Sequence, residues 1–423
     1  VLDDALPAAQ LEQVGAPTLV SPAIGATTAA CPTPAVPGAD FVLCDDGRLV
    51  FPATWSNNSA SPVTFTVHLL ARVRDVAANA HGVRIDNIAT FVSAPVAGGS
   101  QQEQGRATGR VTVVEPQPLL AKAASVDVVK GGDIVTYTLT AANTAGRPGL
   151  YDAVLSDCVP PELIIDVASL SPGIVPPVAG TGTNGCPVGT QLLLWTLPSV
   201  LQAGTPQIAT YQVQVPLDAP AGRVYPNTAV LRGTSLPGSG NGERTTYTAS
   251  ANESITVADV VVTKSTNAAI AVPGQAITWT VTAVVPAGVS VPNATLVDVL
   301  PPHLASAPAP TTTLACASAP TDPTWTCPTG TPLPGPAGTV ALLLGTLDPS
   351  ASVRTFTWTL TTTVPTTAPA QGVSMVNTGS MRWNFTERPD PTSATSPFDT
   401  LESDTATTAG RDPAVTLTKA VSD

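Results

Sequence analysis

Charge is scarce in this chain: Asp, Glu, Lys and Arg together make up 11% of 423 residues, and only four residues are lysines. The net charge of −12 comes with no cluster of Lys or Arg, which excludes the basic footprint that nucleic acid or an anionic membrane requires. Such an acidic balance keeps an apolar-rich surface in solution. The helix formers Lys, Glu and Gln are sparse, and no stretch sustains a 3.6-residue period between caps, so almost no helix is expected. No apolar run approaches the roughly 20 residues needed to span a bilayer. No charged and apolar leader follows Val1, so any signal peptide has been removed or lies outside this stretch.

Catalytic and metal-binding motifs are missing as well. There is no GxSxG, no HExxH, no P-loop and no Asp/Glu pair beside a His, so no enzyme acting on substrates is expected. CxxC does not occur, and His68, His81 and His303 sit apart from the cysteines as ordinary surface or strand residues, so neither a metal nor another cofactor is expected. The run CDDGR at 44–48 lacks the ligand spacing of a calcium loop and reads as a turn.

Val and Thr dominate what is there, together with 44 Pro and 33 Gly. Branched side chains suit a pleated, half-buried surface, and period-2 runs such as DIVTYTLTAANTAG (133–146) and QAITWTVTAVV (275–285) open at Gly- or Pro-containing turns. The fold class expected is all-β, in about three domains by length. Six cysteines fall as three local pairs, Cys31 with Cys44, Cys158 with Cys186 and Cys316 with Cys327, one in each third of the chain. That pattern reads as one disulfide per third, and hence as an oxidising compartment.

Three signatures recur in order. A Lys lies in a short apolar strand at Lys122, Lys264 and Lys419; Asp begins an Asp-x-aliphatic-Pro motif at Asp4, Asp157 and Asp298; and Asn precedes small or branched residues at Asn87, Asn227 and Asn377. Order and spacing divide the chain into 1–118, which lacks its Lys strand, two complete repeats at 119–258 and 259–413, and an orphan Lys strand at 414–423. Either the chain is a window on a longer array, with neighbouring repeats supplying the missing pieces, or 414–423 completes the first repeat of another copy by strand addition. Both give tandem β-sandwich repeats in a linear, head-to-tail array, whose partners are copies of the chain or its own neighbouring repeats.

In a sandwich the Lys, Asp and Asn strands can converge in one core. Burial lowers the pKa of an amine and raises that of a carboxyl, so a neutral Lys amine beside a protonated Asp could attack the Asn amide, expelling ammonia and leaving an isopeptide bond. The competing reading is a buried Lys–Asp ion pair with Asn hydrogen-bonded nearby. Three of the four lysines occupy the same repeat position, which ordinary solvation would not require; the fourth, Lys130, sits in a Gly-Gly turn.

The succession of Lys strand, GxxxTYTxTxxNxxG, D-x-[LV]-P and x-N-T-A resembles the isopeptide-forming fimbrial repeat domains of bacterial cell-surface proteins, also catalogued as a domain of unknown function. The likeness covers 119–258 well. In 259–413 VVPAG replaces AANTAG, so Asn143 has no counterpart, and 1–118 matches only in its Asp and Asn halves. The resemblance implies Ig-like sandwiches on the outside of a bacterial cell, in stalks, fimbriae or adhesins. It also implies that Lys122 joins Asn227 with Asp157 as the acid, that Lys264 joins Asn377 with Asp298, and that Asp4 and Asn87 await a lysine such as Lys419 of another subunit. The alternative is an adhesive or carbohydrate-binding module with ligand-holding loops and an unknown target. Most tryptophans lie in core-like runs, leaving Trp325, between Cys316 and Cys327, as the aromatic to test for binding.

Overall fold

The computed structural model describes residues 1–21, 26–31, 38–94, 99–182, 185–305, 309–366, 372–411 and 418–419. Among them the chain is all-β, with one 3-10 turn at Val167–Ser169 and no α-helix.

Threonine alternating with apolar residues makes the strands. In Ile134–Asn143 and Ala276–Val285 every second side chain is buried, from Val135 to Asn143 and from Ile277 to Val285, while the threonines between them face outward. A branched residue on the open face keeps the strand preference without exposing apolar surface.

Three strands carry the Asp motifs: Leu2–Ala5, Leu150–Val159 and Val291–Val299. Each pairs antiparallel with an Asn strand, Arg84–Ser93, Val224–Thr234 or Ser374–Trp383. Each Asn strand pairs in turn with a long outer strand, Gln102–Thr112, Tyr247–Val257 or Thr400–Gly410. A second sheet faces two of these three. The Lys strand Pro118–Ala124 heads a sheet continuing through Ile134–Asn143, Gln207–Gln214 and Ile164–Asp166; the Lys strand Val261–Thr266 heads one continuing through Ala276–Val285, Val353–Thr363 and Thr311–Ala319. Each of these Lys strands packs on the Asn and outer strands opposite, closing a sandwich. Around Asp4 only two short strand pairs take the place of that second sheet among the described residues, and Gln102–Thr112 is exposed along its whole length.

A bulge precedes the acid in both complete sandwiches. Asp152 and Asn293, at the same offset upstream of Asp157 and Asp298, adopt positive φ of 45° and 53°, and the strand register slips there. Asp and Asn tolerate that left-handed region better than other side chains with a Cβ. Because side chains alternate faces, such a slip decides which residues point inward downstream.

The cores of the two complete sandwiches merge into one apolar cluster that includes Tyr211, Val257, Val260, Val289 and Trp383. Trp383 Nε1 donates to Ala221 O at 2.9 Å across that junction. The junction nearer the N-terminus is polar: Arg244 pairs with Asp75 at 2.6 Å and with Glu115, which also accepts from Tyr247 OH at 2.9 Å. Trp279, Trp358 and Trp383 are core residues, and Trp195 and Trp325 are half-buried. Trp55 departs from the expected core role: it is 39% exposed and packs against Phe41, Phe51 and Phe65 at ring separations of 5.4 to 6.0 Å. Among the described residues its part of the chain has no four-stranded sheet to close over these rings.

Candidate functional site

The same register recurs three times on the Asp and Asn strands. Asp4 stands opposite Ala89, Asp157 opposite Ala229 and Asp298 opposite Gly379. In each case the Asn lies two residues before that partner, so Asp and Asn share one face of adjacent strands as diagonal neighbours.

In the second sandwich Lys122 reaches this face from the opposite sheet. Its side chain is fully buried, and Nζ contacts Asp157 Oδ1. Tyr211 OH donates to the other carboxyl oxygen, Asp157 Oδ2, at 2.7 Å, and accepts from Asn227 Nδ2 at 2.7 Å. Lys122 Nζ also lies 5.0 Å from the centroid of the Tyr137 ring, which stacks on Tyr211. Burial pushes the Lys122 pKa down to about 8, against the opposing pull of Asp157. Burial also raises the Asp157 pKa, despite its contacts with Lys122 and Tyr211. Both shifts favour the neutral pair, an amine beside a carboxylic acid.

In the third sandwich Lys264 Nζ contacts Asp298 Oδ2, and both side chains are fully buried. Desolvation lowers the Lys264 pKa to about 7. Asn377 is buried too, yet neither of its amide atoms has a hydrogen-bond partner among the described residues; nor do Asp298 Oδ1 and Trp358 Nε1.

Asp4 and Asn87 are half-buried and bonded to each other, Asn87 Nδ2 donating to Asp4 Oδ1 at 2.6 Å. No lysine of the described residues meets them. Lys419 is exposed, and most of 414–423 lies outside the described residues. The structure therefore brings together Lys122, Asp157 and Asn227, pairs Lys264 with Asp298 beside the Asn377 strand, and holds Asp4 with Asn87 alone.

Tyr211 is the site residue that sequence reasoning missed. Its signal lay in ATYQVQV: a tyrosine at an inward position of an alternating strand must find a partner for its hydroxyl. All three expected disulfides are present, with Cα separations of 5.4, 5.3 and 5.6 Å, and that of Cys158 sits directly beside Asp157. Among the described residues no cluster of His, Cys, Asp or Glu could hold a metal, and no helix is long and apolar enough to cross a membrane.

No protein-family model matches the chain, and neither does any curated protein. Among solved structures it is similar to the C-terminal domain of the Streptococcus pyogenes antigen I/II-family protein AspA, over 70% of this chain and 99% of that one, at 11% identity and a TM-score of 0.30. The major pilin subunit BcpA of Bacillus cereus is similar over 70% of each chain, at 10% identity and a TM-score of 0.27. The full-length major pilin SpaD from Corynebacterium diphtheriae is similar over 69% of this chain and 65% of its own, at 11% identity and a TM-score of 0.26. Scores this low do not establish a shared fold, and the architecture stands on its own topology.

Proposed function

We propose that the chain is a structural segment of an extracellular bacterial filament, fimbria or surface stalk, built of Ig-like units at 1–118, 119–258 and 259–413, with 414–423 beginning a further unit or completing another copy. Each complete unit is held by a disulfide and by a self-made isopeptide bond, Lys122 to Asn227 through Asp157 and Lys264 to Asn377 through Asp298. One observation carries this reading: in both sandwiches a fully buried lysine crosses from one sheet to an aspartate of the other, which shares its face with a buried asparagine at one fixed register.

The chemistry balances without a cofactor. The Nζ lone pair attacks Asn Cγ, and the carbonyl pair moves to Oδ1. The carboxyl takes a proton from Nζ and returns one to Nδ2, the Cγ–Nδ2 bond breaks, and ammonia leaves. Simple ion pairing leaves Asp298 Oδ1 and both atoms of the Asn377 amide buried without hydrogen-bond partners among the described residues, which costs about 1–3 kcal/mol per unsatisfied group. Bond formation exchanges that amide's two N–H donors for the single N–H of the Lys–Asn link.

The Asp4–Asn87 pair is an acceptor half-site for a lysine of a neighbouring unit or of a second copy, Lys419 included. Among the described residues no counterpart of the Lys strand Pro118–Ala124 faces the sheet carrying it, so the donor segment supplies a lysine strand. A second reading, an adhesive module, is favoured only by exposed Trp55 on its aromatic cluster; glycan or peptide binding lost on Trp55→Ala would support it. The isopeptide reading is tested by digesting the reduced chain with trypsin. A branched peptide joining the Lys122 and Asn227 segments, uncut at Lys122, is expected; separate linear peptides would contradict it.

A further inference from the structure

We propose that Tyr211 is a catalytic residue of the second unit, relaying a proton from Asp157 to the departing nitrogen of Asn227. The proposal rests on the isopeptide reading above. Its basis is the way four groups are strung together: Lys122 Nζ meets Asp157 Oδ1, Asp157 Oδ2 meets Tyr211 OH at 2.7 Å, and Tyr211 OH meets Asn227 Nδ2 at 2.7 Å. The amine and the phenol thus touch opposite oxygens of one carboxyl, and the phenol touches the nitrogen that must leave.

Before attack Nδ2 is an amide nitrogen and donates to the phenol oxygen. After Nζ adds to Cγ, Nδ2 becomes a tetrahedral amine with a basic lone pair, and both contacts of the phenol reverse, so that it accepts from Asp157 Oδ2 and donates to Nδ2. Nζ gives a proton to Oδ1, the protonated carboxyl gives one from Oδ2 to the Tyr211 oxygen, and the phenol passes its own proton to Nδ2. Ammonia departs, and Asp157 and Tyr211 end in the protonation states in which they began. One proton has moved from Nζ to Nδ2 along a path with no open gap.

The third unit lacks this path. Lys122 pairs with Leu139 and Lys264 with Val281, which aligns Tyr137 with Trp279 on the next strand; Tyr137 faces Tyr211, whereas Trp279 faces Leu360. Leu360 has no proton to pass, and among the described residues Asn377 Nδ2 has no hydrogen-bond partner. One molecule therefore carries a relayed site and an unrelayed one, each a control for the other.

The test follows bond formation on the full chain made by cell-free synthesis and quenched into denaturant over time, with ammonia loss assigned to each site by peptide mapping. Tyr211→Phe is expected to slow the Lys122–Asn227 bond by about a hundredfold or more while the Lys264–Asn377 bond keeps its rate. In the unaltered chain the solvent deuterium isotope effect should be larger at the second site than at the third, and should fall to the third site's value in Tyr211→Phe; a merely structural loss would slow the step without that change. Equal isotope effects at the two sites, or an unslowed second bond in Tyr211→Phe, would overturn the relay and leave the isopeptide reading intact. Retention of both ammonias by the unaltered chain would overturn both.

Discussion

Gly379 stands where any side chain would collide with Lys264: a Cβ there would lie 2.9 Å from Lys264 Cδ and 2.6 Å from Val281 Cγ2. Gly379 is also the residue opposite Asp298, so the room that its missing side chain leaves is the room through which the lysine reaches the acid. The second sandwich has Ala229 at this place and a different fit around Lys122. Gly379→Ala is therefore expected to cost about 1–3 kcal/mol through overpacking. It should also reduce the yield of the third bond and leave the second untouched. Urea unfolding and site-resolved peptide mapping report the two effects.

Removing the acid should be worse than crowding the lysine. Asp298→Ala leaves a buried amine with no carboxyl to hold it or to carry its proton. The third bond should not form, and the loss of one partner of a buried pair should destabilise the unit by about 3–5 kcal/mol. Mass spectrometry would show one ammonia retained, and thermal melting a lower midpoint.

Asn377→Ala keeps the Lys264 amine free and makes stability depend on pH in a defined direction. In the folded chain this amine titrates near 7, below its ordinary value of 10.5. The unfolded chain binds the extra proton between those limits, so stability rises as pH increases from about 7 to 10.5, by at most about 1.4 kcal/mol per pH unit. Below the folded pKa the penalty is constant. Urea midpoints of Asn377→Ala measured across this window should climb relative to the unaltered chain, whose amide nitrogen no longer titrates; parallel curves would count against a free buried amine.

The disulfide between Cys158 and Cys186 closes a 28-residue separation beside Asp157. Replacing both cysteines by serine frees that loop in the unfolded chain and should cost on the order of 3 kcal/mol. Thermal unfolding with and without reductant measures it, and reductant should leave the melting point of the double variant unchanged at this site.

Much of this architecture is legible in the sequence because it is local. Alternation of Thr with Val, Tyr, Leu or Trp in 134–143 and 276–285 marks the strands and their inward faces. Short separations make the Cys pairs readable, and recurring order places Lys, Asp and Asn motifs on comparable strands. Features set by packing between distant segments stay hidden. Tyr211 looks like any core tyrosine until Asp157 and Asn227 arrive from the opposite sheet. The bulges at Asp152 and Asn293 leave no turn motif, since Asp and Asn enter positive φ inside a strand. Asn293-Ala-Thr and Asn384-Phe-Thr have the form of glycosylation sequons, which a Thr-rich chain carries by chance, and both asparagine side chains are buried and bonded to each other at 3.0 Å. Trp55 reads as core from the apolar residues Phe51 and Ala53 before it, and nothing local shows that among the described residues no four-stranded sheet closes over it.

The most direct test of covalent locking is the intact mass of the full chain after reduction and denaturation. Two completed bonds predict a mass short by two ammonias, with one restored in Lys122→Arg and the other in Lys264→Arg. A mass equal to that of the unmodified sequence would contradict the account and leave two disulfide-stapled sandwiches holding buried ion pairs.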